Sequence, residues 1–408
     1  MNAPGRPKRE SSLGEEGAQR LEGTANAPGR PKRESSLGEE GAQRLEGTAS
    51  TPTIQNVRVR RVGIPLNRPY WSMISTLHAL DTLVAEVRLE DGGIGYGEAA
   101  IVNGYTSETL EEGWRFCRQQ AAGLPGLAVR DAILRLAPHR HEQSHGVSCL
   151  VTAMEMAARH PLLEPIAAER RIPVVGGVQA HDAQGLLSEV ERLISLGYRT
   201  LKMKVGGDVR TDLRNVRLAH ELAQGRAILR LDANQGFTPD DACRFAAQLP
   251  PEGIELFEQG STAGDWQAAI AIRASSTVPT MLDESIFDLS DIDRAAELGA
   301  APLIKLKLVK CGGIEALVES LAHIRRLGMD TVLGNGVASD INNWMEACVA
   351  HAHVERTGEM NGFTRLETGL LTEPLAIEQG CLVIPAGYYP TVDADILDRY
   401  TIEAKSFG

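Results

Sequence analysis

Charged residues recur at the ends of successive predicted strands in the second half of the chain. Three of them are carboxylates, Asp232, Glu258 and Asp283, and each follows a short apolar run, one predicted βα unit after the previous one. Carboxylates that converge on one point cannot all remain ionised without a counter-charge. Oxygen-only ligand sets favour Mg²⁺, Mn²⁺ or Ca²⁺ over Zn²⁺. If these strand ends meet, the three residues form a candidate site for a hard divalent cation.

Lysines accompany these carboxylates. Lys202 and Lys204 alternate on one predicted strand and therefore point to the same side, whereas Lys307 ends a later strand. A lysine is a useful base only if its pKa, about 10.4 when free, is lowered, and a nearby cation or a second ammonium lowers it. Lys204 and Lys307 are therefore candidate acid/base residues on the two faces of a metal-bound substrate carboxylate. Lys305 is the competing choice on its strand, and Lys310, beyond the strand end, is interpreted as structural.

The strands that carry these residues alternate with amphipathic helices from about residue 172 onward. Apolar runs lie at 174–178, 201–205, 227–231, 254–257, 280–282, 303–308 and 331–333, with predicted helices such as 186–196, 240–249, 314–327 and 342–353. Such alternation predicts a parallel sheet, either open or closed into a barrel. An open sheet would spread the charges by about 4.8 Å per strand, whereas a barrel gathers strand ends at one mouth. Charges at the ends of five consecutive strands favour the barrel.

The first part of the chain follows other patterns. Residues 2–25 recur letter for letter at 26–49, and their Gly, Pro, Ser and charge content predicts a disordered extension. Residues 52–66 alternate as a half-buried strand does, and the runs 82–89 and 94–100 flank an Asp-Gly-Gly hairpin turn. Helical patterns follow to about residue 160. This part is predicted to be α+β.

Several of these segments resemble the enolase superfamily, specifically its muconate-lactonizing-enzyme subgroup. They read LKMKVGG (201–207), LRLDANQGF (229–237), ELFEQG (255–260), MLDES (281–285), LKLVKCGG (306–313) and GIGYGEA (93–99). The resemblance covers about residues 52–400. It implies an α/β fold, a (β/α)7β TIM-like barrel with an α+β N-terminal capping domain. The predicted organisation is a duplicated tail at 1–50, the cap at 51–170, the barrel at 171–372 and a C-terminal segment at 373–408 that returns to the cap.

The resemblance also implies roles for individual residues. Mg²⁺, or Mn²⁺ in its place, would be bound by the three carboxylates named above, supported by Asn234 and Glu284. Lys204 would be one acid/base and Lys307 the opposite one, with Lys202 tuning Lys204.

Substrate contacts are expected mainly from the cap. Tyr70 and Trp71 lie in a segment after the first predicted strand, in a chain with only 4% aromatic residues. The alternative is an ordinary hydrophobic loop under the cap. Tyr105 and Asn335 are weaker candidates for the same pocket.

The activity implied is magnesium-dependent removal of the proton next to a carboxylate, through an enediolate. Reprotonation by the opposite lysine would make the enzyme a racemase or epimerase of an amino-acid derivative. Loss of a β-substituent would instead give cycloisomerisation or elimination. The alternatives are a dehydratase, a carbon–oxygen lyase acting on a β-hydroxy acid or hydroxy-amino acid, and a non-catalytic metal-binding scaffold. Residues 332–340 contain no histidine, which disfavours a sugar-acid dehydratase.

Composition argues against macromolecular partners, and the partner that the resemblance implies is a small carboxylate substrate. The net charge of −12 gives no support for a nucleic-acid or anionic-membrane partner. Six cysteines without a CxxC pair suggest reduced thiols rather than a disulfide framework or a zinc site. The absence of a long apolar run or a secretory leader predicts a cytoplasmic protein. The family resemblance implies a homo-oligomer.

Overall fold

The computed structural model describes residues 52–71, 76–103, 105 and 107–408. The duplicated segment at 1–50 therefore lies outside the described residues. Within the part of the chain that is described, no helix is both long enough and apolar enough to cross a membrane.

The N-terminal part is built on an antiparallel sheet. Its first strands are β1 (Ile54–Trp71), β2 (Thr76–Leu89) and β3 (Ile94–Ala100), paired in that order. Strand β1 continues beyond the predicted run 52–66, because Tyr70 pairs with Leu77 and Trp71 with Thr76. The interpretation of 70–71 as a segment after the strand was therefore wrong. A register shift between Pro65 and Tyr70 interrupts the alternation, which is why the sequence pattern seemed to end there.

Helices cover one face of this sheet. They are α1 (Leu110–Ala121), α2 (Val129–Leu136) and α3 (Ser144–Ala157). Helix α3 lies directly on β3, where a Cβ atom added at Gly95 would stand 2.2 Å from the carbonyl oxygen of Ala153. The same atom at Gly97 would stand 2.1 Å from that of Cys149. Only glycine permits this contact, which accounts for the spacing in GIGYGEA.

Strands and helices then alternate through the middle of the chain. After β4 (Arg170–Pro173) come β5 (Gly176–Val178), α4 (Ala183–Ser195), β6 (Thr200–Lys204), α5 (Val209–Ala223), β7 (Ile228–Asp232), α6 (Pro239–Ala246), β8 (Ile254–Glu258), α7 (Trp266–Ser275), β9 (Thr280–Leu282), α8 (Leu289–Glu297), β10 (Leu303–Leu306), α9 (Leu308–Cys311), α10 (Ile314–Arg326), β11 (Asp330–Leu333) and α11 (Asp340–His353). Strands β5 to β11 form one parallel sheet in sequence order.

Backbone hydrogen bonds close this sheet into a barrel. The amide of Glu359 donates to the carbonyl oxygen of Leu333 at 3.0 Å, next to β11. On the other side, Gly358 donates to Pro173 and accepts from Val175, at 2.9 and 3.0 Å. Residues 358–359 thus occupy an eighth barrel position between the last strand and the first. The predicted barrel is confirmed.

The C-terminal segment returns to the N-terminal sheet. It contains β12 (Ala376–Glu378), β13 (Cys381–Ile384), α12 (Ala394–Tyr400) and β14 (Thr401–Phe407), and β14 pairs with β1. Strands β12 and β13 form a small sheet with β4. Short 3₁₀ turns lie at Ala137–His139, Pro161–Leu163 and Gly362–Arg365.

A buried carboxylate attaches the cap to the barrel. Glu98, at the end of β3, accepts hydrogen bonds from the amide and hydroxyl of Ser339 at 2.8 and 2.6 Å and from the amide of Asn342 at 3.2 Å. These donors belong to the first turn of α11, where backbone N–H groups lack partners within the helix. The cap is therefore held directly above the end of the seventh barrel strand.

Candidate active site

A pocket lies where the barrel mouth faces the cap. Its polar lining comes mostly from strand ends: Lys202, Lys204, Asp232, Asn234, Asp283, Lys305, Lys307, Asn335 and Glu359. The cap contributes Tyr70, Leu77, Val102 and Tyr105. The two proposed acid/base lysines therefore open onto one cavity.

The first group, here the second-strand cluster, consists of Lys202, Lys204, Asp232 and Asn234. The ammonium of Lys204 lies 2.7 Å from Oδ2 of Asp232 and that of Lys202 lies 2.9 Å from the same oxygen. The side-chain oxygen of Asn234 accepts from Lys204 at 2.6 Å, and the backbone N–H of Asn234 donates to Asp232 Oδ1 at 2.9 Å. Asn234 has φ 40°, a turn that asparagine tolerates and that folds it back over the strand end.

The charges of this cluster shift each other's titration. Burial alone would raise the pKa of Asp232, but Lys202 and Lys204 outweigh it and lower that pKa to about 2. Burial would lower the pKa of Lys204, yet Asp232, Tyr70 and Glu258 together outweigh it and raise the pKa above its usual value. The sequence interpretation expected a lowered lysine pKa. That lowering requires a cation to neutralise the carboxylate that now faces the lysine.

The second group, here the sixth-strand cluster, consists of Lys307, Lys310, Asp283 and Tyr105. Lys307 lies 2.9 Å from Oδ2 of Asp283, while Lys310 and the Tyr105 hydroxyl donate to Oδ1 at 2.9 and 2.6 Å. Lys307 also donates to the Tyr105 hydroxyl. Lys310 donates to the carbonyl oxygens of Asp283 and Ile286 as well, in line with its structural interpretation. Burial and the charge of Asp283 raise the pKa of Tyr105 well above its usual value.

A third group joins the strands beneath these clusters and contains a residue that the sequence analysis missed. Glu359, from the eighth barrel position, accepts from Lys202 at 2.8 Å and contacts Lys305. Lys202 also donates to Glu258 at 2.7 Å. Lys305 is only 1% exposed, and a buried ammonium requires an acidic partner. The need of a buried Lys305 for an acidic partner was the one signal that pointed to such a residue. The sequence around Glu359 has no apolar run that would have marked it as part of a strand.

The carboxylates fit a hard cation in their chemistry. Glu258 Oε1 and Glu284 Oε2 are buried and have no hydrogen-bond partner among the described residues. Burial, with Asp232, raises the pKa of Glu258 to about 8, and burial, with Asp283, raises that of Glu284 to about 7. The neighbouring lysines therefore do not fully offset the burial of these two carboxylates, and a divalent cation would supply further positive charge.

The predicted ligands are not drawn together around a common point. Among the described residues, no group of three acids, histidines or cysteines has the arrangement of a metal site. Lysine ammonium groups occupy Oδ2 of Asp232 and of Asp283. The carboxylate oxygens therefore have the chemistry that a hard cation requires. In this structure, Asp232 and Asp283 are instead paired with lysine ammonium groups.

The remaining predicted residues lie around the same pocket. Asn234 donates to Glu284 at 2.9 Å, so the two predicted supporting residues are in contact. Asn335 lines the pocket, and its side-chain oxygen accepts from the amide of Val337 at 3.0 Å. Tyr70 lines the pocket, whereas the side chain of Trp71 lies outside the described part of the structure.

Comparison with known proteins agrees with this architecture. Residues 185–388 match the family model described as "Enolase C-terminal domain-like". The L-Lys-D/L-Arg epimerase of Methylococcus capsulatus is 30% identical over 307 residues, which cover 69% of this chain and 82% of the relative.

Two solved structures share the fold. Muconate lactonizing enzyme from Pseudomonas fluorescens, complexed with muconolactone, has a TM-score of 0.79 at 24% identity, covering 86% of this chain and all of that one. Dipeptide epimerase from Cytophaga hutchinsonii, complexed with Mg and the dipeptide D-Ala-L-Val, has a TM-score of 0.79 at 21% identity, covering 87% of this chain and all of that one. With its barrel, its cap and its family match, the chain belongs to the enolase superfamily, in the muconate-lactonizing-enzyme subgroup.

Proposed function

We propose that this enzyme removes and returns the proton next to a substrate carboxylate, as a racemase or epimerase of an amino-acid derivative or as a cycloisomerase. The observation that carries the proposal is the pair of lysines, Lys204 and Lys307, that open onto one pocket from the second and sixth barrel strands. The activities named for the relatives, epimerisation above all, agree with it.

We propose that Mg²⁺ is the cofactor and that Asp232, Glu258 and Asp283 hold it, with Asn234 and Glu284 supporting them. The support is the pair of unpartnered buried carboxylate oxygens and the Mg in the related dipeptide epimerase structure. When bound, the cation would stabilise negative charge on the substrate carboxylate as a Lewis acid.

The lysines would handle the proton. Lys204 would remove it from one face of the reacting carbon, and Lys307 would deliver a proton from the other. Lys202 contacts Asp232 beside Lys204, and its positive charge opposes the charged form of Lys204. Lys202 would thereby favour the neutral, basic form of Lys204.

The proposal extends to organisation and setting. We propose the domain boundaries predicted from the sequence: a tail at 1–50, a cap at 51–170, a barrel at 171–372 and a C-terminal segment at 373–408. All six cysteines are free, which supports a reducing, cytoplasmic setting. A homo-oligomer is proposed from the family resemblance.

The test is hydrogen exchange in deuterated water, followed by NMR. The metal-free protein and the Mg²⁺-loaded protein are each incubated with dipeptides, N-acyl amino acids and dicarboxylic acids. We expect exchange at the carbon next to a carboxylate only with Mg²⁺ or Mn²⁺. Loss of water from a substrate would indicate the dehydratase alternative instead. Full exchange after EDTA treatment would contradict the metal dependence.

A variant pair tests the metal ligands separately from turnover. Glu258→Gln should weaken Mg²⁺ binding in calorimetry and leave the circular dichroism spectrum unchanged, because the amide cannot supply the negative charge. Glu221→Gln, on the exposed face of α5, is the matched control and should bind Mg²⁺ as the wild type does. Unchanged Mg²⁺ affinity in Glu258→Gln would remove Glu258 from the proposed site.

A further inference from the structure

A histidine of the cap lines the same pocket and is not used in the proposed proton transfer. His145 lies in the first turn of α3, and it is only 2% exposed although it borders the cavity. Ser148, three residues further along α3, donates to the carbonyl oxygen of Leu308 at 3.1 Å. Leu308 directly follows Lys307 in the chain. His145 therefore stands on the sixth-strand side of the pocket.

A buried carboxylate fixes the orientation of this imidazole. Oε2 of Glu108 lies 2.6 Å from Nδ1 of His145 and accepts from the backbone N–H of His145 at 2.9 Å. The hydroxyl of Ser144 donates to the same oxygen at 3.3 Å, and the backbone N–H of Gly146 donates to Oε1 at 3.4 Å. The backbone donors belong to the first turn of α3, where N–H groups lack partners within the helix. The helix therefore holds the carboxylate, and the carboxylate holds the ring.

The contact with Glu108 decides which ring nitrogen of His145 carries a hydrogen. The carboxylate accepts from the other groups around it, so Nδ1 carries the hydrogen and donates it to Glu108. Ser144 Oγ lies 3.2 Å from the same nitrogen. Nε2 is on the opposite edge of the ring and has no contact among the residues that the structure describes. Because Nε2 of a neutral imidazole with this tautomer is an acceptor, His145 offers the pocket a hydrogen-bond acceptor.

Few other polar groups face a substrate on this side of the pocket. The hydroxyl of Tyr105 already contacts Asp283 and Lys307. The nearby lining from the cap and from α9 is aliphatic and consists of Ala100, Val102 and Val309. A polar substituent of the substrate would therefore depend on His145 for a partner here.

Tyr70, another polar residue that the cap brings to the pocket, serves the opposite side. Its ring packs against the guanidinium of Arg365, at 4.8 Å from the ring centroid. Burial would raise the pKa of Tyr70, but the charges of the second-strand lysines and of Arg365 outweigh it and lower that pKa. Tyr70 therefore lies close to the second-strand cluster, and the two polar cap residues Tyr70 and His145 divide the pocket between them.

We propose that His145 is a substrate-binding residue, and that its Nε2 accepts a hydrogen bond from the N–H on the reacting carbon of an amino-acid derivative. This rests on the proposed function, in which the cation holds the carboxylate and the two lysines flank the carbon. Of the other substituents on that carbon, an apolar side chain fits the aliphatic lining. The N–H instead needs an acceptor once it leaves water, and His145 supplies it.

The experiment compares ligands that differ at this donor. N-acetyl derivatives of alanine, leucine and phenylalanine are paired with the O-acetyl esters of the corresponding 2-hydroxy acids, which carry an oxygen in place of the N–H. Dissociation constants are measured by calorimetry with Mg²⁺, on the wild type, His145→Asn, His145→Gln and a control.

The two substitutions separate the two edges of the ring. Asparagine can still donate to Glu108 but is too short to replace Nε2, whereas glutamine places an amide oxygen near the position of Nε2. His323→Asn, on α10, is the matched control. Its imidazole also lies 2.6 Å from a carboxylate oxygen, that of Asp293, and it does not line the pocket.

We expect the wild type to bind the best N-acetyl amino acid about 3- to 10-fold more tightly than its ester, the scale of one neutral hydrogen bond. His145→Asn should bind the two about equally and bind the ester as the wild type does. His145→Gln should retain part of the preference, and His323→Asn all of it.

Two results would overturn the inference. One is equal wild-type binding of amide and ester, including no binding of either. The other is an unchanged preference in His145→Asn, which would leave His145 with the support of Glu108 alone. The wild-type ratio needs no variant, so a folding defect in His145→Asn would not obscure it. Deuterium exchange distinguishes the two proposals: exchange without a preference for the amide rejects substrate binding by His145 alone, whereas no exchange with any carboxylate rejects the proposed function.

Discussion

The second-strand and sixth-strand clusters both contain a lysine paired with an aspartate, but different parts of the fold hold the two pairs in place. Lys204 and Asp232 are neighbours on adjacent barrel strands, paired in register, and Asn234 comes from the turn that follows. Lys307 and Asp283 also come from barrel strand ends, but the cap adds Tyr105, which donates to Asp283 and accepts from Lys307. One cluster is complete within the barrel, and the other is complete only when the cap is docked.

This difference separates the two proton-handling sides of the pocket. A cluster within one parallel sheet is held by backbone hydrogen bonds on both of its strands. A cluster that spans two parts of the chain depends on their packing, here on Glu98 and the first turn of α11. We expect Lys204 to tolerate changes in the cap, whereas Lys307 should respond to them.

The largest effect is expected from removing either lysine. If the enzyme is a racemase or epimerase, Lys204→Ala should still exchange the hydrogen of one stereoisomer with solvent, and Lys307→Ala that of the other. Interconversion should fall by about 10²-fold or more in both variants, the scale for losing a general acid/base. The measurement is deuterium incorporation into each stereoisomer separately. Loss of exchange from both stereoisomers in Lys204→Ala, with full exchange in Lys307→Ala, would leave one lysine as the only base and favour the cycloisomerase or lyase outcome.

A smaller effect should reveal the dependence on the cap. Tyr105→Phe removes one hydrogen bond to Asp283 and the hydroxyl that accepts from Lys307. Exchange that depends on Lys307 should fall about 10-fold, the scale of a hydrogen bond to a charged group. Exchange that depends on Lys204 should remain within about 2-fold, since no contact of that cluster is lost. Tyr400→Phe, in the C-terminal helix α12, serves as the control. An equal loss on both sides would show that the clusters act as one unit.

The smallest effect is expected at Glu346, a buried carboxylate that supports the sixth-strand side, and it concerns the stability of the fold. It accepts the amide N–H groups of Leu308 and Asn335 at 2.9 and 2.8 Å. Burial raises its pKa from 4.5 to about 7. A raised carboxyl pKa contributes stability below the unfolded value, which is lost as the pH rises through the folded value. Between about pH 4.5 and 7, the contribution of Glu346 to the stability of the wild type should therefore fall, by about 3 kcal/mol at most.

Glu346→Gln should remove the share of the pH dependence that Glu346 contributes and leave the share of Glu258 and Glu284, whose pKa values are also raised. Its stability is expected to be lower throughout, because one of the two amide N–H groups loses its acceptor, so the slope against pH is the observable. Urea unfolding of metal-free protein at several pH values measures it, with Glu221→Gln as the exposed control. An identical slope in wild type and Glu346→Gln would show that Glu346 does not contribute to the pH dependence in this window.

Local sequence patterns predicted much of the barrel. The predicted runs 254–257 and 280–282 coincide with β8 and β9 apart from a single residue. Strand β10 ends at Leu306, shorter than the predicted run 303–308, because Leu308–Cys311 turns into a short helix. Sequence alone could not place the eighth barrel position, since 358–359 pair through isolated backbone hydrogen bonds and lack the apolar run of a strand. It also ended β1 too early, at the register shift before Tyr70.

What the sequence determined by itself is the set of charges at the barrel mouth. Side chains alternate along a strand, and the strand ends of a barrel share one mouth, so Lys202, Lys204, Asp232, Glu258 and Asp283 had to lie at that mouth once the barrel was inferred. Only the tertiary structure decided which groups meet across long separations: Glu359 with Lys202, Tyr105 with Asp283, and Arg365 with Tyr70. Those contacts depend on barrel closure and cap docking, which no local pattern of residues encodes.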